Sequence, residues 1–307
     1  MKTHEHTALP KGRDIPLLLA GALGVGSSGP LIAKSVMPIP TLIFWRNVGG
    51  ALIMAPFAIK SGELRKRSNR RVIAVSALAG VILAAHFLAF FAAMRFTTVA
   101  AGTALASFQP IFAALYMKFR GAHISSQSLG GMFLAFASLF LITGVDFTVS
   151  TRAFVGDLYG ILCAALAAVY MILGSSVQKT LSTSTYTTVC FATCGATALV
   201  VGAVTGSPLL NFSTVQWLYL AGLIIGAQFF GHTFMNLALK RVSPVVVSLV
   251  VFFEVPIAAL IAWFWLHQHP SAGTTPGIFG LLIGCAIFVL RNKDMGNKDM
   301  GNQGTND

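Results

Sequence analysis

A carboxylate, two histidines and an arginine lie inside long apolar runs of this 307-residue chain, where charge is costly to keep. Glu254 sits deepest, near the middle of the apolar stretch Val242–Leu266. An isolated carboxylate in hydrocarbon takes up a proton or finds a partner. Glu254 is therefore a candidate for proton titration or for binding a substrate amine. Its bland alternative is a neutral acid that joins two helices. His86 and His232 could relay protons, because histidine titrates near neutrality, or could cross-link helices by hydrogen bonds. Gln228, His232 and Asn236 recur at i, i+4 and i+8, which places them on one stripe of a helix. Such a stripe faces a cavity or another helix rather than lipid. Gln109 lies beside Phe108 and is a polar candidate from the other half of the chain. Arg46 lies a short way into its apolar run. It could attract an anion, pair with Glu254, or reach the membrane interface along a lipid-buried stem, and a structural or gating role is favoured. Tyr170 adds a hydroxyl, with Ser175 and Ser176 in the same run.

Helices must hold these groups, and the composition names their solvent. The chain is 55% hydrophobic and only 10% charged, against roughly 25% charged for a soluble domain. Ten stretches approach the ~20 apolar residues that cross hydrocarbon: Ile15–Ala33, Thr41–Ile59, Val72–Met94, Val99–Met117, Leu129–Val145, Leu158–Val177, Thr187–Val204, Val215–Leu239, Val242–Leu266 and Thr274–Leu290. The expected fold is an all-α integral membrane protein with ten transmembrane helices. Short connections make neighbouring helices antiparallel. The first stretch is too long for a signal peptide and lacks a clear cleavage site, so it reads as an uncleaved helix. The net charge of +12 does not point to nucleic acid, because the basic residues lie between apolar runs rather than on one face. With the N-terminus in the cytoplasm, every Lys and Arg except Lys34, Arg46, Arg95 and Arg152 falls on the cytoplasmic side. Both termini are then cytoplasmic and the membrane is the inner (plasma) membrane. Segment 1–14 is a cytoplasmic lead, and 291–307, which repeats Asn-Lys-Asp-Met-Gly, is a disordered tail.

Cys163, Cys190, Cys194 and Cys285 fall inside apolar runs and read as small buried residues, not as ligands. No metal or cofactor motif is present. There is no Gly-x-x-x-x-Gly-Lys-Ser/Thr run, so no ATP drive is expected within the chain. Pro30, Pro56, Pro110, Pro244 and Pro256 supply bend points.

An internal repeat orders these features. A shift of 146 residues superimposes His86 on His232, Arg95 on Arg241, Pro110 on Pro256, His123 on His269 and Gly131 on Gly277. Positions 86–133 give 11 identities without a gap, where this composition would give roughly four by chance, a sign of duplication. The copies span 15–145 and 156–290. Each holds five helices, an odd number, so the second is inverted relative to the first. Inverted repeats let two halves open opposite sides in turn, as transporters do. Glu254 falls on Phe108, so this charge is not shared by the halves.

Several segments carry a family resemblance: Gly26-Ser27-Ser28-Gly29-Pro30 with Lys34, Trp45-Arg46-Asn47, the small-residue runs Ala100–Pro110 and Val246–Pro256, and Gly130-Gly131 with Pro276-Gly277. On these the chain resembles the drug/metabolite transporter superfamily, in particular the ten-helix EamA-type exporters, over about residues 15–290. The resemblance implies a substrate cavity between the repeats and export of amino acids, nucleobases or other metabolites. It breaks at one place, where the family usually has a glutamate and this chain has His123 and His269.

The leading expectation is a secondary transporter, an exporter of a small metabolite such as an amino acid. It works by alternating access, with a proton as coupling ion and the bilayer and the small-molecule substrate as its partners. Glu254, His232, His86, Asn236, Gln228, Gln109, Arg46 and Tyr170 line the substrate or proton pathway, and no enzymatic activity is expected. Two alternatives stand beside it. One is an intramembrane serine hydrolase using Ser28 with His86 or His232 as base. The other is a lipid-translocating or structural membrane protein.

Overall fold

A computed structural model describes residues 10, 12–119, 125–143, 151–242, 247, 250–269, 272–273, 275–284, 286–288 and 291. Every regular element among them is a helix. Among the described residues, seven helices are long and apolar enough to cross a membrane: Ile15–Lys34, Ile39–Ser61, Arg67–Phe96, Val99–Tyr116, Thr151–Val177, Thr183–Val204 and Thr214–Ala238. They are spans 1 to 4 and 6 to 8. Ser126–Thr143 is span 5, and the shorter Val251–Leu266 and Thr275–Phe288 belong to spans 9 and 10. The all-α membrane fold and its ten helices match the sequence expectation. Most of segment 1–14, the tail beyond Arg291, His123, Pro244 and Cys285 lie outside the described residues.

Three spans are broken where proline removes a backbone donor. Span 1 divides at Ser27 into Ile15–Gly26 and Ser28–Lys34, just before Pro30. Span 4 divides into Val99–Ala106 and Gln109–Phe119 ahead of Pro110. Span 9 passes from a 3-10 turn, Val251–Phe253, into the α-helix Glu254–Leu266 that carries Pro256. The breaks in spans 4 and 9 are related by the sequence repeat. Pro56 lies inside span 2 without interrupting it. Span 8 widens into a π-helix over Leu223–Thr233, a form concentrated at functional sites.

The helix pairings carry the symmetry. Span 2 packs on span 7, span 3 on span 6 and span 1 on span 8, with further contacts between 3 and 7, 2 and 8, 4 and 6, 1 and 9, and 4 and 9. Exchange of the halves maps 2–7 and 4–9 onto themselves. It turns 3–6 into 8–1, 3–7 into 8–2 and 4–6 into 9–1.

The inversion is visible in two equivalent arginines. Arg95 donates from Nη2 to the carbonyl of Ser35 at 3.1 Å and also to that of Met37, just past the end of span 1. Arg241 pairs with Asp14, just before its start, with Nη2 to Oδ1 at 2.7 Å. Span 1 runs between Asp14 and Ser35, so the duplicated arginines lie at opposite ends of the molecule.

Outward-facing positions along the spans are apolar. Leu23, Leu52, Phe57, Phe133, Val200 and Phe264 are all exposed. In water these side chains would form an unstable apolar belt, and in lipid they are in their own solvent.

The loop after span 2 is tied to the start of span 7. Ser182 caps span 7, its Oγ accepting from Thr185 N at 3.3 Å. Glu63 in turn accepts from Ser182 Oγ at 2.6 Å and from Ser182 N at 2.9 Å. Partial burial would raise the Glu63 pKa. The hydroxyls of Ser182 and Thr185, the Ser182 N–H and the charge of Lys240 outweigh it and hold the carboxyl below its ordinary value. A carboxyl depressed by folding adds stability at pH values above its unfolded pKa, ~4.3. That stability is lost as pH falls through the lower folded value. Thermal unfolding of Glu63→Gln is therefore expected to match wild type at the acid end and to lie below it at pH 7. A constant gap across the range would show that the charge is irrelevant.

Candidate functional site

The breaks and the π-helix converge on one cavity. Its wall includes Val25 and Ser28 of span 1, Arg46 of span 2, His86, Phe87 and Phe90 of span 3, and Ala106 and Gln109 of span 4. Spans 6, 8 and 9 add Tyr170 and Met171, His232 and Asn236, and Val251 and Glu254. Each broken helix delivers a polar side chain at its break: Ser28 after Ser27, Gln109 after Phe108, Glu254 after the 3-10 turn.

Arg46 is enclosed, with 1% of its surface exposed. Its guanidinium lies over the Phe87 ring, 4.2 Å from the centroid. Nε donates to Gln228 Oε1 at 2.7 Å, and Gln228 Nε2 donates to Asn47 Oδ1 at 3.1 Å. Nη1 is buried without a hydrogen-bond partner. An interfacial reach for Arg46 does not match this burial. Direct pairing with Glu254 is also absent: the ion pair within 4.0 Å among the described residues is Arg241–Asp14.

Glu254 is 6% exposed and accepts from Ser28 Oγ at 3.4 Å, at the long end for a hydroxyl donor. Asn236 donates from Nδ2 to the Tyr170 hydroxyl at 2.5 Å and to the His232 carbonyl at 2.7 Å, while its Oδ1 is buried and unpartnered. The two repeat-related histidines meet, with ring centroids 6.4 Å apart. His86 Nδ1 lies 3.0 Å from the Cys163 carbonyl and its ring stacks on Phe90. His232 packs edge-on to Phe87 at 5.0 Å.

Seven of the eight sequence candidates thus share one wall. Gln228 stands behind it and orients Arg46. Gly50 leaves room for this, since a Cβ there would sit 2.7 Å from Gln228 Cγ. The stripe of Gln228, His232 and Asn236 divides in use: Gln228 bonds Arg46 and Asn47, while His232 and Asn236 line the cavity. Phe87 and Asn47 were not among the site candidates read from sequence, although each adjoins a residue that was. Ser28 is at the site, but its bond goes to Glu254. Among the described residues no Ser28–histidine bond forms, so the hydrolase pairing is not assembled. No cluster of three or more His, Cys, Asp or Glu that could hold a metal occurs among the described residues.

A family model described as "EamA-like transporter family" matches the chain twice, over residues 13–144 and 154–290. The chain belongs to the EamA-like transporter family. It is a multi-pass membrane transporter of the drug/metabolite kind. This EamA-like protein is similar to a protein of Archaeoglobus fulgidus described as an uncharacterized transporter, with 27% identity over 259 residues, 82% of this chain and 87% of the relative. Its fold is also that of a solved structure described as "Crystal structure of protein", at TM-score 0.68 and 18% identity, covering 93% of this chain and 99% of the other.

Proposed function

We propose that this protein is a secondary transporter that exports a small metabolite, such as an amino acid, across the inner (plasma) membrane. Its two repeats, 15–145 and 156–290, act as units that alternate the exposure of the cavity. Both termini are cytoplasmic. Glu254, His232, His86, Asn236, Gln109, Arg46 and Tyr170 line the pathway, with Gln228 holding Arg46, and a proton is the coupling ion.

The observation that carries this reading is a polar cavity between inverted halves, with a buried cation and a buried carboxylate held apart. Charges kept in a bilayer-depth cavity mark a substrate or ion path by default. The broken spans 1, 4 and 9 supply the irregular backbone that transporters tolerate only around a cavity.

Two measurements test it. Cells that overproduce the protein should resist, and accumulate less of, a subset of a metabolite panel, and a proton uncoupler should abolish the difference. Single cysteines at Val36 and at Lys66, in a background lacking native cysteines, should label from opposite faces of sealed vesicles, with Lys66 on the cytoplasmic side. Equal accumulation of every compound in cells with and without the protein would remove the transport reading. Labelling of both cysteines from one face would remove the topology.

A further inference from the structure

We infer that two ion pairs related by the repeat, Arg241–Asp14 and Arg95–Asp157, latch opposite ends of the molecule in turn. The structure shows the first closed and the second open. The inference rests on the proposed alternating access and names contacts that set its two states. In the closed pair, Asp14 Oδ1 accepts from Arg241 Nε at 2.8 Å and lies 2.7 Å from Nη2. This pair joins the end of span 8 to the start of span 1. Arg95 is the repeat counterpart of Arg241. The counterpart of Asp14 is Asp157: a shift of 143 residues superimposes them, and with them Leu19 on Leu162, Ala22 on Ala165 and Leu23 on Leu166. Asp14 directly precedes the apolar stretch that begins at Ile15, and Asp157 the one that begins at Leu158. The second copy carries three more residues between its aspartate and its arginine, which accounts for the difference from 146.

The start of span 6 is packed on the end of span 3, so both members of the second pair belong to one junction. A Cβ on Gly156 would lie 2.9 Å from Phe96 Cβ and from Thr97 N, and Arg152 Nη2 donates to the Arg95 carbonyl at 3.0 Å. No ion pair joins Arg95 to Asp157 among the described residues. Arg95 instead turns Nη2 to the carbonyls of Ser35 and Met37, beyond span 1. Its Nε and the Asp157 Oδ1 are each buried without a hydrogen-bond partner. A cationic donor and an anionic acceptor are thus left over at the junction whose image in the other half holds a made pair.

Inverted repeats change state by exchanging conformations. That exchange turns the contact of spans 8 and 1 into the contact of spans 3 and 6, and so turns Arg241–Asp14 into Arg95–Asp157. Arg95 then leaves the carbonyls that follow span 1 for a carboxylate, a stronger acceptor for a guanidinium. Arg241 leaves Asp14 for the carbonyls that follow span 6. Each arginine keeps an acceptor in both states, so neither becomes an uncompensated buried charge. Each pair stabilises one state alone and thereby biases the population between the two. One charge-assisted bond is worth about a factor of ten in that population.

The test uses the full-length protein in lipid nanodiscs, read by amide hydrogen exchange at both ends, and needs no transported ligand. Asp157 bears no ion pair in this state, so Asp157→Asn should unfold at the wild-type temperature. It should nevertheless slow exchange at residues 12–18, at the far end of the molecule, by about tenfold, because the state in which that end opens has lost its latch. Asp14→Asn should do the converse, with faster exchange at 12–18 and slower exchange at 96–100. The double variant, with both latches removed, should return toward wild type at both ends. A purely local role gives loosening at the mutated end alone and a double variant worse than either single, and that result would overturn the inference. Should Asp14→Asn fail to fold, Asp157→Asn decides alone: unchanged exchange at 12–18 overturns the latch. Export from cells is scored separately. A protein that exports a metabolite without this reciprocity keeps the transport function and loses the latches. Reciprocity in a protein that exports nothing keeps the latches and loses the transport function.

Discussion

Glu254→Ala should lose transport by about tenfold to a hundredfold and remain folded. The size of the loss follows from one charge-assisted hydrogen bond, about 1.5–3 kcal/mol, at 1.4 kcal/mol per factor of ten. Retention of the fold follows from how little Glu254 holds. Its bond to Ser28 is long, and it bears no ion pair among the described residues. A buried carboxylate without a close partner is a burden on the folded state, so its removal is neutral or slightly stabilising. The space left by the side chain joins a cavity already present and makes no new dry void. The repeat counterpart should behave in the opposite way. Phe108 is buried in an apolar cluster, with its ring 5.0 Å from that of Phe136. Phe108→Ala should cost about 3–5 kcal/mol, the usual range for a truncated core aromatic. Thermal unfolding and counterflow of both variants give a crossed result: Glu254→Ala stable and inactive, Phe108→Ala unstable. A Glu254→Ala protein that transports at the wild-type rate removes Glu254 from the mechanism.

The apolar runs and the 146-residue shift make most of the architecture legible, because lipid enforces long apolar helices and duplication leaves matched residues. The shift pairs Arg95 with Arg241, and the structure sets them at opposite ends of span 1. It also pairs His86 with His232, whose rings meet near the pseudo-two-fold axis. The polar residues of the wall were visible for the same reason: each stands out against an apolar background.

What sequence could not give is the division of labour among them. Gln228 sits on the same stripe as His232, yet it stands behind the wall and bonds Arg46 and Asn47. No periodicity argument based on 3.6 residues per turn anticipates that. The separation of Arg46 from Glu254 was equally invisible, since an arginine and a carboxylate in hydrocarbon read as partners until their positions are known. Nothing in the sequence marks Phe87, and its role as the platform for a guanidinium needs the ring plane.

Gly24→Ala should be among the most damaging of the single-methyl changes in the spans. Spans 1 and 8 meet here with almost no separation. A Cβ on Gly24 would lie 2.5 Å from the Gly226 carbonyl oxygen and 2.6 Å from the Gly231 nitrogen. These are backbone atoms, which cannot rotate aside as a flexible side chain would. Gly24 and Gly231 act as the small residues that let membrane helices approach. Forcing a methyl group between them costs about 1–3 kcal/mol, or more where the backbone must move. The damage should also reach the cavity, because pushing span 8 away from span 1 moves His232 and Asn236 relative to Ser28. Lowered thermal stability and weakened transport are thus expected together. Gly130 supplies the control: nothing lies within 4 Å of a Cβ built there, and alanine is the better helix former by about 1 kcal/mol. Gly130→Ala should match or exceed wild-type stability. If the two variants unfold at the same temperature, close packing of spans 1 and 8 is not what holds these faces of the cavity together.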